Sequence, residues 1–257
     1  MTTVKSAILA ITFLIASLSS VAQAQKLHPE QENPIPKVIF FDVNETLLDL
    51  ESMRESVGAA LGGRDDLLPL WFSTMLHYSL VESATGRYHQ FGKVGVAALM
   101  MVAEINDIAI TEQDAKKAIV EPLRSLPPHP DVKQGLIALK KAGFTLVSLT
   151  NSSNAGVKAQ FENAGLLDLF DRRLSVEDIE LYKPHLKTYQ WAAEQMGIQT
   201  DQALMVAAHG WDTAGAKAAG MQAAFIQRPG KVSYPLAIDA DYTVKNLTEL
   251  TDILLKP

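Results

Sequence analysis

Hydrophobic positions follow two periods along this chain, and the points where one gives way to the other mark its organisation. Val38, Ile39, Phe40 and Phe41 form an unbroken apolar run after Pro36 and Lys37, which predicts a strand buried on both faces, as in a parallel sheet covered by helices. Asp42 follows at the strand's carboxyl end. Ligands bind along that edge of an open α/β sheet, near a switch in strand order, so a carboxylate there is placed for chemistry; capping of the next turn is the plainer alternative. The spacing then becomes helical. Leu47, Leu50, Met53 and Val57 obey the i, i+3, i+4 rule, and Leu70, Met75, Leu76, Leu80 and Val96 through Val102 add further apolar faces,. This predicts an all-helical insertion to about Val120, closed by a hinge over 121–130 whose prolines cannot continue a helix,.

Beyond the hinge the two periods alternate. Helices are expected over 131–142, 154–164, 185–196 and 212–219, with a last one from 246, and Gly143, Gly165 and Gly220 act as stops,. Strands are expected over 144–149, 173–176, 203–208 and 222–226,. Such alternation implies an α/β fold with a parallel, doubly covered sheet. The organisation read from this is a core of 37–48 with 127–257 and a helical cap of 49–126.

The N-terminus adds a compartment. Lys5, an uncharged apolar run from about Ala7 to Leu18 and the small residues before Ala24 have the order of a secretory signal, with cleavage expected after Ala24 and residues 25–36 left as an extended arm,. The apolar run is shorter than the roughly 20 residues a membrane span needs. Without cysteine there is no disulfide framework and no lipid-modified Cys,. A periplasmic or secreted enzyme stabilised by core packing is expected. The net charge of −6 becomes one unit more negative when the leader and its Lys5 are removed. No run of five Lys or Arg occurs, which argues against nucleic acid and anionic membrane as partners,.

Four polar sites fall just after expected strands or at helix starts: Asp42 with Thr46, Thr150 with Asn151, Lys183, and His209 with Asp212. Loops at one edge of a parallel sheet converge, so these residues are expected to share a cleft. In order, Asp42-Val43-Asn44-Glu45-Thr46-Leu47, Ser148-Leu149-Thr150-Asn151, Tyr182-Lys183-Pro184 and Trp211-Asp212 resemble the four motifs of the haloacid dehalogenase superfamily. More closely, the chain from Lys37 onward is similar to the type II 2-haloacid dehalogenases, which implies a Rossmann-like core with a cap inserted after the first motif.

The resemblance implies roles. Asp42 would attack the carbon bearing the halide, and water would hydrolyse the resulting ester. Lys183 would neutralise and position Asp42. Thr46 and Thr150 would orient carboxylates, Asn151 would face the leaving group, and Asp212 would orient or activate the water. Tyr189, Phe91 and Trp211 match residues near the substrate. A small 2-haloacid of the L series is the implied substrate, no cofactor is implied, and the oligomeric state, monomer or homodimer, stays open.

Two departures stand out. Where the family carries Leu-Trp-Arg on the cap, this chain has Leu70-Trp71-Phe72, and Phe72 can neither carry charge nor donate to a departing halide. Arg54, Arg64 and Arg87 are the cap cations that could reach in instead. Where the family has Ser-Ser-Asn before Trp-Asp, this chain has Ala207-Ala208-His209-Gly210. A histidine three residues from Asp212 could accept a proton from water near neutral pH. The remaining histidines show no metal-ligand spacing, so no zinc is expected,.

Two rival readings remain at this point. A superfamily phosphatase would use Mg²⁺ and an acid at position 44, but Asn44 cannot supply an acidic proton,. A binding protein that lost activity with the cap Arg would retain Asp42, Lys183 and Asp212 without use, at a cost in desolvation.

Overall fold

The computed structural model describes residues 34–256; the expected signal segment 1–24 and residues 25–33 of the expected arm lie outside them. Six strands form one parallel sheet in the order β3-β2-β1-β4-β5-β6, with β1 Val38–Phe41, β2 Thr145–Thr150, β3 Arg172–Ser175, β4 Ala203–Ala207, β5 Gln222–Ile226 and β6 Tyr242–Val244. The chain leaves β1 toward one edge and returns at β4 to build the other. The switch in direction therefore lies between β1 and β4, whose residues Phe41 and Val206 are in register. A crevice opens there at the carboxyl ends of the strands.

β1 explains itself. Its four side chains are all buried because alternate residues serve opposite faces: Ile39 and Phe41 join one apolar cluster, Val38 and Phe40 the other,. On the first face pack α5 (Val132–Lys141), α6 (Asn154–Ala164) and α9 (Leu247–Leu254), through Leu136, Phe161 and Leu250 among others; on the second pack α7 (Leu186–Gln195) and α8 (Gly210–Ala218), through Tyr189, Ala192 and Ala216.

Between β1 and α5 stand four helices that form the cap: α1 Arg54–Ala60, α2 Leu68–Ala84, α3 Phe91–Ile105 and α4 Glu112–Arg124. Trp71, Met75, Leu99 and Ile119 of these helices belong to the same apolar cluster as Ile39 and Phe41, so cap and sheet share buried surface. The two chain crossings into and out of the cap lie side by side, with the Asp49 N–H donating to the Pro127 carbonyl at 2.8 Å.

Three expectations need correction. α4 does not stop before the hinge but runs through Pro122 to Arg124. The proline lacks the N–H that would pair with the Ala118 carbonyl, and the Ser56 hydroxyl supplies that hydrogen bond at 2.6 Å,. β6 was not expected at all: it is three residues long, sits at the sheet edge beside β5, and follows a polar segment rich in Asp and Pro. Leu70 and Leu80 are exposed on α2 rather than packed, since the buried stripe of that helix runs through Leu68, Trp71, Phe72, Met75 and Ser79.

Candidate active site

The carboxyl ends of β1, β2, β3 and β4 bring Asp42, Asn151, Lys183, His209 and Asp212 together. Asp42 extends the sheet by one more hydrogen bond, its N–H to the Val206 carbonyl at 3.0 Å, and then the chain turns. Thr46 closes that turn. Its hydroxyl donates to Asp42 Oδ2 at 2.6 Å and accepts the Ala208 N–H at 2.8 Å, which ties the first loop to the end of β4.

The Lys183 ammonium lies between two carboxylates, 3.0 Å from Asp42 Oδ1 and 2.6 Å from Asp212 Oδ2. It is held there from both ends. The Asn151 side-chain oxygen accepts the Lys183 N–H at 3.1 Å, and the Tyr189 hydroxyl donates to Asp212 Oδ1 at 2.6 Å. α8 approaches closely enough for this because residue 215 is glycine: a Cβ there would lie 2.6 Å from Pro184 Cβ and 2.7 Å from the Tyr189 hydroxyl oxygen.

The other Asp42 oxygen faces His209. Nδ1 lies 3.1 Å from Asp42 Oδ2 and Nε2 lies 2.7 Å from Glu45 Oε2. Ionised carboxylates only accept hydrogen bonds, so both ring nitrogens donate and the ring is an imidazolium. Glu45 is held in turn by Lys231, whose Nζ lies 2.5 Å from Oε1. The ring itself stacks on Trp211 with centroids 4.9 Å apart and meets Phe72 of the cap at 6.3 Å. A continuous chain of alternating charge thus runs from Lys231 through Glu45, His209, Asp42 and Lys183 to Asp212.

Charge sets the protonation of this chain. Burial alone would raise the Asp42 carboxyl, but the Lys183 charge and the His209 hydrogen bond and charge hold it well below the usual carboxylate range,. Burial pulls Lys183 down, and the charges of Asp212 and Asp42 more than restore it. Burial, reinforced by Asp42, pushes Asp212 up against the pull of Lys183. Burial likewise lowers His209, yet its bonds to Asp42 and Glu45 and their charges leave it at about 9. The histidine therefore carries a proton at neutral pH in the resting protein.

The remaining expected residues fall in three places. Phe72 and Trp211 line a cavity of about 540 Å³ together with Glu45, His209, Arg228 and Lys231. Tyr189 is fully buried behind Asp212, on the side away from that cavity, and Phe91 is buried against Tyr182 with ring centroids 5.9 Å apart. The resemblance placed both near the substrate; here the first supports a carboxylate and the second packs the cap. The Thr150 hydroxyl accepts the Ser152 N–H at 3.1 Å instead of orienting a carboxylate. Arg54 and Arg64 are exposed and paired with Glu51 and Asp66, and Arg87 is exposed, so the cap sends no arginine to the site.

Three contributors went unassigned in the sequence: Glu45, Arg228 and Lys231. Arg228 and Lys231 follow β5, and the rule that drew attention to the carboxyl ends of the other strands applies equally to that one,. The buried Arg228 guanidinium donates to the Thr46 carbonyl at 3.0 Å and to Asp131 at 2.7 Å, bracing the nucleophile loop. Asn44 is committed elsewhere, donating to Ser152 Oγ at 3.2 Å and accepting from Gln160 at 2.8 Å. Among the described residues no group of three or more His, Cys, Asp or Glu is arranged to hold a metal ion.

A buried, ionised aspartate at the switch point, charge-paired with lysine and histidine beneath a helical cap, defines a hydrolase equipped for nucleophilic catalysis. Comparison with known proteins gives the family. A profile of the haloacid dehalogenase-like hydrolases matches residues 36–220, and the chain belongs to that family, in its L-2-haloacid dehalogenase-like branch. It is 29% identical over 217 residues to (S)-2-haloacid dehalogenase 1 of Pseudomonas sp. (strain CBS-3), covering 84% of this chain and 95% of that one. Identity to haloacetate dehalogenase H-2 of Moraxella sp. (strain B) is 30% over 219 residues, covering 85% and 97%. Two structures of the L-2-haloacid dehalogenase from Xanthobacter autotrophicus, one of them with chloropropionic acid covalently bound, superpose with a TM-score of 0.80 at 26% identity, covering 85% of this chain and 98% of that one.

Proposed function

We propose that this protein hydrolyses the carbon–halogen bond of a small 2-haloacid of the L series through an ester on Asp42. The observation that carries the reading is the state of Asp42: ionised, 5% exposed, and fixed by Thr46, Lys183 and His209 at the sheet's switch point. An Asp42 oxygen attacks C2, halide leaves with the bonding pair, and an alkyl ester forms. Water then adds to the acyl carbon of the ester, so the 2-hydroxy acid departs with the configuration at C2 inverted once.

Each part of the site has a share in this. Lys183 keeps the nucleophile charged and Asp212 keeps Lys183 in place. The substrate's carboxylate is drawn by the Lys231 and Arg228 side chains that line the cavity,. Phe72 and Trp211 give the departing halide an aromatic wall instead of a cap arginine. The cap swings about the paired crossings at Asp49 and Pro127 to admit substrate and exclude water,. The N-terminal leader pattern supports export, so the reaction belongs to the periplasm or the medium, and the acidic balance supports a small-molecule partner instead of nucleic acid,.

The test is halide release by the purified protein from each enantiomer of 2-chloro- and 2-bromopropionate without added metal, with Asp42→Asn as control. Release from the L enantiomers that is lost in the control is the expected result. No release from any of them would overturn the reading, and a screen of small phosphate esters with Mg²⁺ would then test the phosphatase alternative.

A further inference from the structure

Asp212 is poorly placed to activate the hydrolytic water. It is fully buried, and its two oxygens are occupied by Lys183 and Tyr189. His209 stands between Asp42 Oδ2, 3.1 Å away, and a cavity that it walls with Glu45, Phe72 and Trp211. Of the titratable groups bonded to Asp42, Lys183 is 1% exposed and its partners all lie inward, whereas His209 lines that cavity.

Glu45 singles this side out. It has a φ of +62°, in the left-handed region that residues bearing Cβ rarely adopt and that glycine adopts freely,. A glutamate kept in such a turn delivers a carboxylate to one point, and that point is His209 Nε2 at 2.7 Å, with the far oxygen tethered to Lys231,. The backbone carbonyl of Glu45 is also held, 3.1 Å from His129 Nε2.

On the reading that Asp42 is esterified, we propose that His209, oriented by Glu45, takes the proton from the water that hydrolyses the ester. The resting imidazolium faces two carboxylates. Esterification removes the Asp42 charge and with it one of the two partners that hold the proton on His209, so the ring gives that proton up through Glu45 to the cavity and becomes a base. Glu45, Asp49, Glu51, His129, Arg228 and Lys231 are the other titratable and charged groups along the cavity, Lys183 and Asp212 lie one hydrogen bond beyond Asp42, and the Phe72 ring of the cap meets His209. As the oxygen of water bonds to Cγ of Asp42, one water proton moves to Nδ1. Collapse of the tetrahedral adduct breaks the Cγ bond to the alkoxide, which takes that proton and leaves as the hydroxy acid. The new Asp42 carboxyl then passes its own proton to His209 Nδ1 and restores the resting imidazolium, so the one proton the reaction releases is the one His209 gave up after esterification. Glu45 is a positioning residue here, since it touches only the base.

The experiment compares wild type, His209→Asn and Glu45→Gln in rapid-quench single turnovers with L-2-chloropropionate, measuring halide and the mass of the intact chain, with circular dichroism to establish folding. His209→Asn is expected to release one halide per chain and then stall with the ester on Asp42, its turnover lowered by about 10²–10⁴-fold. Glu45→Gln is expected to slow ester hydrolysis less, by roughly tenfold, and to move the acid limb of its pH profile to lower pH, because the histidine loses a charge that holds its proton. A folded His209→Asn protein that clears its ester at the wild-type rate, or that makes no ester, would overturn the proposal while leaving the ester chemistry intact in wild type. If His209→Asn fails to fold, an unshifted Glu45→Gln profile overturns it instead. A wild-type protein that releases no halide overturns the underlying dehalogenase reading and this proposal with it.

Discussion

The two oxygens of Asp42 meet cations of different kinds. On the inner side the buried Lys183 ammonium is taken up by Asp42 and Asp212, and Tyr189 holds Asp212 from behind. On the outer side His209 is bounded by Glu45 and stands at the wall of a cavity. The lysine loses the Asp42 charge when the ester forms, but Asp212 remains beside it and an ammonium starts from an ordinary value of 10.5, so it stays charged,. The histidine depends on two carboxylates, one of which the reaction consumes and restores. The inner side is therefore built to hold a charge, the outer side to exchange a proton.

The largest expected effect comes from the inner side. Lys183→Met would leave the Asp212 carboxylate buried without a counter-charge and Asp42 with His209 alone, costing about 3–5 kcal/mol of stability,. Halide release should fall by more than about 100-fold. Urea unfolding and single-turnover halide release check both. Equal stability of the variant and wild type would mean that the inner pair is hydrated and the contrast between the sides is false.

The outer side should show itself in pH. The folded-state pKa of His209 stands above its ordinary 6.5, at about 9, so its contribution to stability is fully present below about 6.5 and is lost as pH rises through about 9. Wild type should lose on the order of 1–3 kcal/mol over that window relative to His209→Asn, read from urea midpoints at pH 6 and pH 9.5. Parallel curves for the two proteins would contradict an imidazolium between carboxylates.

Lys231→Ala marks the small end. The Lys231 side chain is 26% exposed in its pair with Glu45, so its loss should change stability by less than about 1 kcal/mol and turnover by less than about fivefold. A larger drop in turnover would mean that Lys231 does more than draw in the substrate's carboxylate and tether Glu45.

What the sequence showed follows the same division. Asp42 and Asp212 were legible because each follows a strand whose apolar run is plain, and a parallel sheet gathers such positions at one edge,. Lys183 follows β3, which reads Arg172-Arg173-Leu174-Ser175, and was legible chiefly through Tyr182-Lys183-Pro184. β6, three residues at the sheet edge, is too short to stand out. The outer side was harder to read. His209 drew attention by its type, but the depth of its pairing depends on Glu45, and a glutamate inside a turn motif signals nothing until its φ of +62° is known. The resemblance implies a place near the substrate for Tyr189, and nothing in the sequence tells that its hydroxyl meets Asp212. Pro122 misled in the opposite direction, since its helix-breaking cost is offset by Ser56, which lies far away in sequence,.

The account's central claim is that Asp42 forms the ester and that water attacks its acyl carbon. One turnover of L-2-chloropropionate by excess wild-type protein in ¹⁸O-water tests it, followed by mass analysis of the peptide containing Asp42 and of the hydroxy acid. The account predicts ¹⁸O in the Asp42 carboxylate and an unlabelled hydroxy acid, whose hydroxyl oxygen came from Asp42. Label in the hydroxy acid with none in Asp42 would contradict it, because water would then have displaced the halide directly.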